Sequence, residues 1–412
     1  MNKDSSAPRE EKPIGFETRL ALVYSGVFFI TGVQLPYFPL WLAAEKFSAG
    51  EIAFVLGLST LVRVSVGPVI SVLADRSRDR ANVLLATAVG AALASALYFL
   101  PLALTGVTAV SVLFAIASSA HTPLSDALTI SGVRRYGVDY ARVRVWGSVA
   151  FLVMNLAAGV LIERTGHSAV VVLMFGGCVV LSGASLLAPR IGKPRRPSPL
   201  SQLDLAEARR AMRDPVFAMV LAGVGFIQAS HAYIYGFSAI YWQEAGFPAA
   251  ATGVFWATGV IAEVAMFGLF RRVFGTISAP ATLVISSSVT ILRWIAFPLV
   301  IPLGLGFWGF VAEQTLHAFS FALTFLGLQK MIAETVPEEI GGTAQGLATL
   351  VLGVALAIAT FLSGPLYGAM GGQGFYVMTA PALVGLALGL LAMTRPHQPQ
   401  SALSGGRTVD PA

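Results

Sequence analysis

Charged side chains are scarce in this sequence. Asp, Glu, Lys and Arg make up 12% of its 412 residues, whereas about a quarter of the residues of a soluble domain are charged. Apolar residues reach 56%, and the mean hydropathy is +0.75. So few charges cannot form a solvated surface, which argues against a soluble enzyme, a disordered chain and a nucleic-acid-binding module despite the net charge of +6. The composition instead indicates a protein that lies in a lipid bilayer.

Cysteine is almost absent as well. The single cysteine, Cys178, lies within an apolar run, which excludes an intrachain disulfide framework and a multi-cysteine metal site. We expect Cys178 to be a packing residue. Near the N-terminus the sequence shows neither a small-residue cleavage site after a short apolar core nor a lipidation motif. We therefore expect the first apolar run to be a retained helix.

Long apolar runs are the main feature of the sequence. A helix needs about 20 apolar residues to cross a bilayer. Charged or Pro/Gly-rich breaks divide the chain into twelve such runs. The sequence therefore predicts an all-α integral membrane protein with twelve transmembrane helices. The predicted spans are 18–43, 49–74, 82–104, 107–133, 143–162, 168–188, 215–243, 249–270, 277–299, 303–331, 342–369 and 373–394.

Positive residues are distributed unevenly between the two sides of the predicted spans. Of the 27 lysines and arginines, 23 fall in the N-terminal segment, the even-numbered connections and the C-terminal tail. The opposite connections contain only Lys46 and Arg164, while Arg63 and Arg293 fall inside spans. Positive residues concentrate in the loops that stay in the cytoplasm. We therefore predict a multi-pass protein of the plasma membrane, the inner membrane of a bacterium, with both termini in the cytoplasm.

The longest polar segment follows the sixth span and divides the chain in two. Residues 189–214 contain KPRRPSP and then an amphipathic stretch, which predicts a solvated linker with a short surface helix. The two halves of the sequence show weak similarity to each other at an offset of about 200 residues. Arg63 aligns with Glu263, and the segment at His121 aligns with that at His317. This repeat predicts two six-helix bundles. The predicted units are a cytoplasmic tail 1–17, an N-terminal bundle 18–188, the linker 189–214, a C-terminal bundle 215–394 and a cytoplasmic tail 395–412.

Ionisable residues inside the spans are the candidates for function, because a charge in the bilayer is costly unless it is paired or faces a cavity. If Arg144, which lies near the start of its span, is counted with the deeper charges, the spans hold three arginines and three carboxylates, which suggests ion pairs that can be exchanged. If a carboxylate takes a proton, its arginine partner is released and can bind an anionic or hydroxylated solute. The set consists of Arg63, Arg144, Arg293, Asp126, Glu263 and Glu313, with His121, His231 and His317 as further titratable groups.

Glu313 and His317 are four residues apart and therefore share a helix face. Proton handling and a purely structural hydrogen bond are both consistent with this spacing. A zinc site is a third interpretation, for which the sequence offers no further ligand. His121 and His231 are more simply explained as hydrogen-bonded core histidines.

Four other charges are notable for their position, and two of them suggest a pair. Asp126 and Arg144 lie in adjacent spans joined by a short loop, which predicts either a functional ion pair or a salt bridge that only fixes the helix ends. Arg63 and Glu263 lie in the middle of their spans, where structural pairing and contact with a solute are both open.

Aromatic residues cluster in the first and seventh spans. Those at 37–41 and 241–242 lie where a membrane-interface belt of Trp and Tyr is ordinary. Tyr233 and Tyr235 lie deeper in their span. We therefore consider these two tyrosines as candidates for contact with a solute.

Short sequence motifs at the first two spans are distinctive. The first span contains FFITG (28–32) and PYFPLWL (36–42), and LADRSRDR (73–80) follows the second. These motifs resemble those of the major facilitator superfamily, in particular of the group of the phenylpropionate and lactose permeases. The resemblance extends over all twelve spans. It implies a transporter in which Asp75, Arg76 and Arg80 latch a gate, although Ser71 stands near the place of a usual glycine.

Four further motifs extend the resemblance to the candidate site residues. PLSDA (123–127) and RVRVWGS (142–148) are similar to the segments that carry the group's substrate-binding carboxylate and its arginine partner, and ILRW (291–294) and TLH (315–317) to its arginine and histidine motifs. The resemblance thus implies substrate binding by Asp126, Arg144 and Phe151, the last replacing a tryptophan platform. It implies proton coupling through Arg293 and His317.

Departures from the family pattern narrow the range of expected substrates. Ser320 and Gln314 replace the acid and the lysine that flank the group's histidine, so we expect Glu313 to take over the acid's role. The aspartates of the group's seventh span are also missing, which argues against galactosides. Arg63 and GVIAE (259–263) look more like the phenylpropionate permease branch, which implies an aromatic carboxylate.

The sequence therefore predicts a monomeric, proton-coupled symporter that imports a small organic solute such as 3-phenylpropionate by alternating access. Its partners are the solute, protons and the bilayer, with no nucleic acid, no metal, no cofactor other than the coupling proton and no enzymatic activity. A sugar or nucleoside symporter, a proton-driven efflux antiporter and a transporter-like receptor or scaffold are the alternatives. Arg63, Tyr233 and Tyr235 join Asp126, Arg144 and Phe151 as predicted substrate residues, and Glu313, His317, Arg293 and Glu263 are the predicted coupling residues.

Overall fold

The three-dimensional structure is a computed structural model that describes residues 12–192, 214–336 and 341–396. Regular structure in these ranges is helical, and no strand occurs in them. The α-helices are α1 (Phe16–Ala44), α2 (Ala49–Arg76), α3 (Arg80–Ala96), α4 (Leu104–Ser118), α5 (His121–Tyr136), α6 (Tyr140–Thr165), α7 (Ala169–Leu187), α8 (Pro215–Ser230), α9 (Ala232–Glu244), α10 (Ala249–Val273), α11 (Ala279–Leu299), α12 (Gly306–Thr315), α13 (Thr324–Thr335), α14 (Gly341–Met370) and α15 (Thr379–Met393).

Polar residues in the connections determine where the helices begin. Ser48 and Glu51 form a capping box at the start of α2. Asp79, Asp139 and Asp214 each accept hydrogen bonds from the first backbone N–H groups of the helix that follows. These N–H groups have no partner within a helix, so an aspartate or serine just before the apolar run stabilises a start at that position.

Most of the predicted spans coincide with helices. Among the described residues, 11 helical segments are long and apolar enough to cross a membrane. The first ten of them agree with the first ten predicted spans to within five residues at each end. The last segment, Ala344–Met393, is 50 residues long and contains α14, a 3-10 helix (Gly371–Met378) and α15. Large apolar side chains such as Leu73, Leu362 and Trp308 point outward, as expected for a surface in contact with lipid.

Besides the last segment, three segments are interrupted within their length, and each of these three interruptions lies at a histidine. The helix of Leu104–Tyr136 breaks next to His121, and that of Pro215–Glu244 breaks at His231. In Gly306–Thr335, α12 ends just before His317 and a π-helix (Ala318–Leu323) follows. Local π-helical turns and discontinuous membrane helices are often found at functional sites. The predicted spans did not contain these breaks.

Contacts between residues 12–192 and the later part of the chain run mainly along two helix pairs, α2 with α14 and α6 with α10, and α1 also contacts α9. We call the end of the molecule where α1 begins the near end, and the end where α1 stops and α2 starts the far end. Gly159 on α6 and Gly253 on α10 lie near the far end and allow close contact between the two backbones. A Cβ on Gly253 would lie 3.0 Å from the Asn155 carbonyl oxygen.

Hydrogen bonds reinforce this far-end contact. The Asn155 side-chain amide donates to the Gly253 carbonyl oxygen at 2.8 Å. The Tyr37 hydroxyl donates to the Asn155 carbonyl oxygen at 2.9 Å and lies 3.4 Å from that of Ala249. Tyr37 and Asn155 are both fully buried. We call this group, Tyr37, Asn155, Gly159, Ala249 and Gly253, the far-end clamp.

The predicted gating loop lies at the near end. The Arg80 guanidinium contacts the Asp75 carboxylate at 2.6 Å and also donates to the Ser131 hydroxyl at 3.1 Å. Arg76 is exposed in the last turn of α2. The loop residues Asp75 and Arg80 are thus bonded to each other, and a gating role for the three remains a prediction. The tails before residue 12 and after 396 and nearly all of the predicted linker lie outside the described residues.

Candidate functional site

A cavity of about 200 Å³ lies in the middle of the molecule, between the far-end clamp and the near end. Helices from both sides of the linker form its wall. Its aromatic and apolar lining consists of Phe28, Leu35, Phe151, Ile234, Tyr235, Trp256, Val260 and Phe321. Its polar lining consists of Thr31, Arg144, Ser148, Glu263, Arg293, Gln314 and His317. An apolar chamber with a few convergent charged groups is typical of a small-molecule site.

Arg293 is the centre of a buried polar network behind this cavity. Its guanidinium is fully buried and donates to the Glu313 carboxylate at 2.8 Å and to the Gln314 amide oxygen at 3.0 Å. It also donates to the Ser320 hydroxyl at 2.9 Å and to His317 Nδ1 at 3.1 Å. Glu313 and His317 thus both bond to Arg293, and the direct Glu313–His317 hydrogen bond considered above does not form.

The arrangement assigns a tautomer to each histidine of the network. An arginine only donates hydrogen bonds, so the His317 nitrogen that faces Arg293, Nδ1, must accept. The proton of a neutral His317 ring is therefore on Nε2, which lies 3.9 Å from the Glu263 carboxylate. His231 Nδ1 donates to the Ile227 carbonyl oxygen at 2.9 Å, and its Nε2 lies 3.1 Å from the Ser320 hydroxyl, from which it accepts. Both histidines are thus held in their neutral form.

Arg144 presents its guanidinium to the cavity without a carboxylate partner among the described residues. Its Cζ atom lies 4.2 Å from the centre of the Phe28 ring, a cation–π arrangement. The ion pair with Asp126 that the sequence predicted is absent. Asp126 Oδ1 instead accepts from the hydroxyls of Tyr24 at 2.5 Å and Tyr140 at 3.0 Å, and Asp126 is not part of the cavity wall.

Two further predicted residues lie away from the cavity. Arg63 does not pair with Glu263, and its guanidinium is 3.4 Å from the Gln34 amide oxygen. Tyr233 is fully buried in an aromatic cluster, and its hydroxyl donates to the Gly371 carbonyl oxygen at 2.6 Å. The structure therefore gives Tyr233 a packing environment in place of the predicted solute contact. Phe151 and Tyr235 do line the cavity.

Several cavity and network residues were not predicted. Phe28 and Trp256 form part of the wall, with the Tyr235 ring stacked on that of Trp256 at 5.8 Å between centres. Gln314 and Ser320 were noticed only as departures from a family pattern, yet both bond to Arg293. One signal was available, because Trp256 precedes Glu263 by seven residues, or two helical turns, on α10. Within the described ranges no group of three or more His, Cys, Asp or Glu could hold a metal ion.

Comparisons with known proteins give a consistent result. Residues 17–378 match the profile of the MFS_1 like family. A probable 3-phenylpropionic acid transporter of Escherichia coli (strain K12) is 30% identical over 377 residues, which cover 90% of this chain and 96% of that protein. A maltose permease of Geobacillus stearothermophilus is 25% identical, with 81% and 83% covered. The crystal structure of the nucleoside transporter NupG superimposes with a TM-score of 0.81 at 15% identity and covers 92% of this chain and 99% of that one.

Proposed function

Because this chain belongs to the MFS_1 like family of transporters, we propose that it carries a small aromatic carboxylate across the membrane in symport with a proton. The Escherichia coli relative is a probable 3-phenylpropionic acid transporter, which supports this substrate class. A sugar, a nucleoside and proton-driven efflux are the alternatives within transport, and a transporter-like receptor or scaffold is the alternative outside it.

The observation that carries the proposal is the state of Arg144. Arg144 is half-buried, and no carboxylate of the described residues lies within ion-pair distance of its guanidinium. An unpaired positive charge on the wall of a cavity within membrane-spanning helices favours an anionic ligand. Its planar donor fork matches a carboxylate in two parallel hydrogen bonds. Phe28, Phe151, Tyr235 and Trp256 surround the same space with aromatic surface. The volume of about 200 Å³ is below the range of about 300–1,000 Å³ typical of drug-sized ligands, which favours a substrate with a single ring.

We assign the coupling proton to Glu263 rather than to Glu313. The Glu263 side chain is 20% exposed and faces the cavity, whereas that of Glu313 is 2% exposed and is bonded to Arg293. A substrate carboxylate on Arg144 would bring a second negative charge close to Glu263. Protonation of Glu263 removes this repulsion, so binding of the anion and uptake of a proton favour each other. His317 Nε2 lies 3.9 Å from the Glu263 carboxylate, so the His317 ring lies beside the group that takes the proton.

We further propose that the chain forms two six-helix bundles and twelve crossings, with both termini in the cytoplasm and with a monomer as the working unit. The 50-residue segment Ala344–Met393 is about 75 Å long at about 1.5 Å per residue, which suffices for two crossings of a core of about 30 Å. The far-end clamp closes one side of the cavity, so access in this conformation is from the near end. Alternating access then requires the clamp to open while the near end closes.

Uptake into proteoliposomes tests the substrate and the role of Arg144. With an imposed proton gradient we expect accumulation of labelled 3-phenylpropionate, and we expect Arg144→Gln to raise KM by about tenfold to a hundredfold, because hydrogen bonds between charged groups contribute about 1.5–3 kcal/mol. Arg142→Gln is the matched control, since Arg142 is exposed on the same helix. Equal KM values for Arg144→Gln and the control would contradict the proposal. Uptake of maltose or a nucleoside in its place would favour the corresponding alternative, and accumulation only with the gradient reversed would favour efflux.

A second comparison tests the proton assignment. In Glu263→Gln the cavity carboxylate is replaced by an amide that cannot take a proton. We therefore expect gradient-driven accumulation to be lost, while exchange of labelled for unlabelled substrate continues. Glu313→Gln keeps an oxygen that can accept from Arg293 but leaves the buried guanidinium without a counter-ion, so we expect a less stable protein whose folded fraction still accumulates substrate with a gradient. The opposite pattern, with coupling lost in Glu313→Gln and kept in Glu263→Gln, would move the proton to Glu313.

A further inference from the structure

Asp126 and Arg144 are not bonded to each other, but one tyrosine, Tyr24, contacts both. The Tyr24 hydroxyl donates to Asp126 Oδ1 at 2.5 Å, while the face of the Tyr24 ring lies 5.3 Å from Arg144 Cζ. The Tyr140 hydroxyl donates to the same carboxylate oxygen at 3.0 Å. The two opposite charges are therefore held on different parts of one tyrosine ring.

Three helices hold this geometry in place. Tyr24 is fully buried on α1, and Phe28 one turn later stacks against Arg144. Tyr140 precedes Arg144 by one turn of α6, so the two side chains share a face. The carboxylate comes from α5. The α1 face thus supports the guanidinium, and hydroxyls from α1 and α6 bind the acid.

Without the two hydroxyls, the physics favours a direct ion pair. Asp126 and Arg144 are both half-buried, so they attract each other more strongly than two fully solvated charges would, and a carboxylate fits the donor fork of the guanidinium. A substrate carboxylate would then have to displace Asp126 before it could bind. Two phenolic O–H groups satisfy Asp126 by charge-assisted hydrogen bonds and remove the need for the arginine.

We propose that Tyr24 and Tyr140 are positioning residues that hold Asp126 away from Arg144 and so leave the guanidinium free for the substrate carboxylate. This inference rests on the proposed function, in which Arg144 binds that carboxylate. Asp126 would otherwise compete with the substrate carboxylate for Arg144, and the two tyrosine hydroxyls keep it bound away from the guanidinium. This differs from the role of substrate ligand that the family resemblance implied for it.

The test is a set of four variants measured for binding of 3-phenylpropionate to the purified full-length chain. In Tyr24→Phe/Tyr140→Phe, Asp126 becomes free to pair with Arg144, and we expect the Kd to rise by about tenfold, equivalent to about 1.4 kcal/mol. Adding Asp126→Asn removes the competitor, so we expect the triple variant to return to within about threefold of the wild-type Kd. Asp126→Asn alone is expected to bind as the wild type does. Tyr136→Phe is the matched control, because the Tyr136 ring packs on Phe16 and its hydroxyl has no hydrogen-bond partner in the described residues.

A second readout does not depend on the substrate. Phenylglyoxal modifies free arginines, and mass spectrometry compares Arg144 with the exposed Arg142 in the same peptide as an internal reference. We expect the modification of Arg144 relative to Arg142 to fall severalfold in Tyr24→Phe/Tyr140→Phe and to recover when Asp126→Asn is added. Recovery of reactivity by removal of a charge is not expected if the tyrosines serve only to pack the helices.

The outcomes separate this inference from the proposed function. Unchanged Arg144 reactivity in the double variant, or no recovery in the triple variant, overturns the positioning role. Loss of binding in Asp126→Asn as large as that in Arg144→Gln also overturns it, because Asp126 would then be a ligand. If the wild type does not bind the aromatic acid but Arg144 reactivity follows the expected pattern, the substrate proposal fails while the positioning role is supported.

Discussion

Arg293→Met is expected to lower the free energy of unfolding by about 3–5 kcal/mol, the cost of leaving one partner of a buried ion pair without the other. Arg293 is fully buried, and its guanidinium contacts Glu313, Gln314, His317 and Ser320. Its removal leaves the Glu313 carboxylate among apolar and polar neutral groups. Glu313 Oε2 already has no hydrogen-bond partner among the described residues, so nothing is in place to compensate.

The double variant Arg293→Met/Glu313→Leu separates the charge from the other contacts. Replacement of a whole buried ion pair by apolar groups is often close to neutral. Here Gln314 and His317 also lose their donor, so we expect about half of the lost stability to return. Ser320 keeps its bond to His231. A recovery of this kind shows that the uncompensated carboxylate is the main cause of the loss.

Chemical unfolding in mixed micelles measures both variants. Arg271→Met provides the control, because Arg271 is an exposed arginine in the last turn of α10 and its loss is expected to change stability by less than about 0.5 kcal/mol. An Arg293→Met protein as stable as the control would mean that water or a lipid headgroup satisfies Glu313. A double variant less stable than Arg293→Met would mean that the neutral partners matter more than the charge.

The sequence was sufficient to locate the first ten membrane segments and the ionisable residues of the buried network, although not Gln314 and Ser320. The length and apolar content of the runs predict a crossing directly, because the bilayer fixes the length that a span must have. Charges such as Arg293 and Glu313 are detectable for the same reason, since a charge within a span requires an explanation. The interruptions at His121, His231 and His317 were not predicted, because average hydropathy over a window of about 19 residues does not respond to one broken turn.

Partners were harder to predict than positions. The short loop between their spans predicted that Asp126 pairs with Arg144, yet nothing in the sequence indicated that Tyr24 would contact both residues. Which side chains meet depends on the rotation of each helix about its axis, and the span boundaries leave that rotation open. Tyr233 and Tyr235 illustrate the same point. They are two residues apart and so lie on different helix faces, with Tyr235 on the cavity wall and Tyr233 in the aromatic cluster.

Gly253→Val is expected to abolish transport while leaving substrate binding intact. A Cβ at this position would lie 2.9 Å from the Tyr37 hydroxyl, 3.0 Å from the Asn155 carbonyl oxygen and 3.3 Å from the Leu156 Cα. The last two atoms belong to the α6 backbone, so a valine fits only if α6 and α10 move apart. The far-end clamp then cannot close, and a carrier that cannot close one side cannot complete alternating access. The cavity residues are unchanged, so we expect the Kd to stay within about threefold of the wild type.

Labelling by a membrane-impermeant maleimide shows the expected change of conformation. Cys178 is buried, so it contributes little background to a single introduced cysteine. Leu35→Cys places a thiol on the cavity wall, on the far-end side of α1. Reagent added from the far side should label it slowly when Gly253 is present and rapidly in the Gly253→Val background. Asn155→Ala removes only the hydrogen bond to Gly253 and should give an intermediate rate.

Gly268→Val is the matched control, since Gly268 lies on the same helix and a Cβ there meets no atom within 4 Å. We expect it to transport and to label as the wild type does, which removes helix propensity as a cause. Slow labelling in Gly253→Val together with lost transport would mean that the valine distorts the site without opening the clamp. Normal transport by Gly253→Val would mean that α6 and α10 need not touch here, and the gate would then have to lie at the α2–α14 contact. There, Gly364 packs so closely that a Cβ would lie 2.5 Å from the Ala49 carbonyl oxygen.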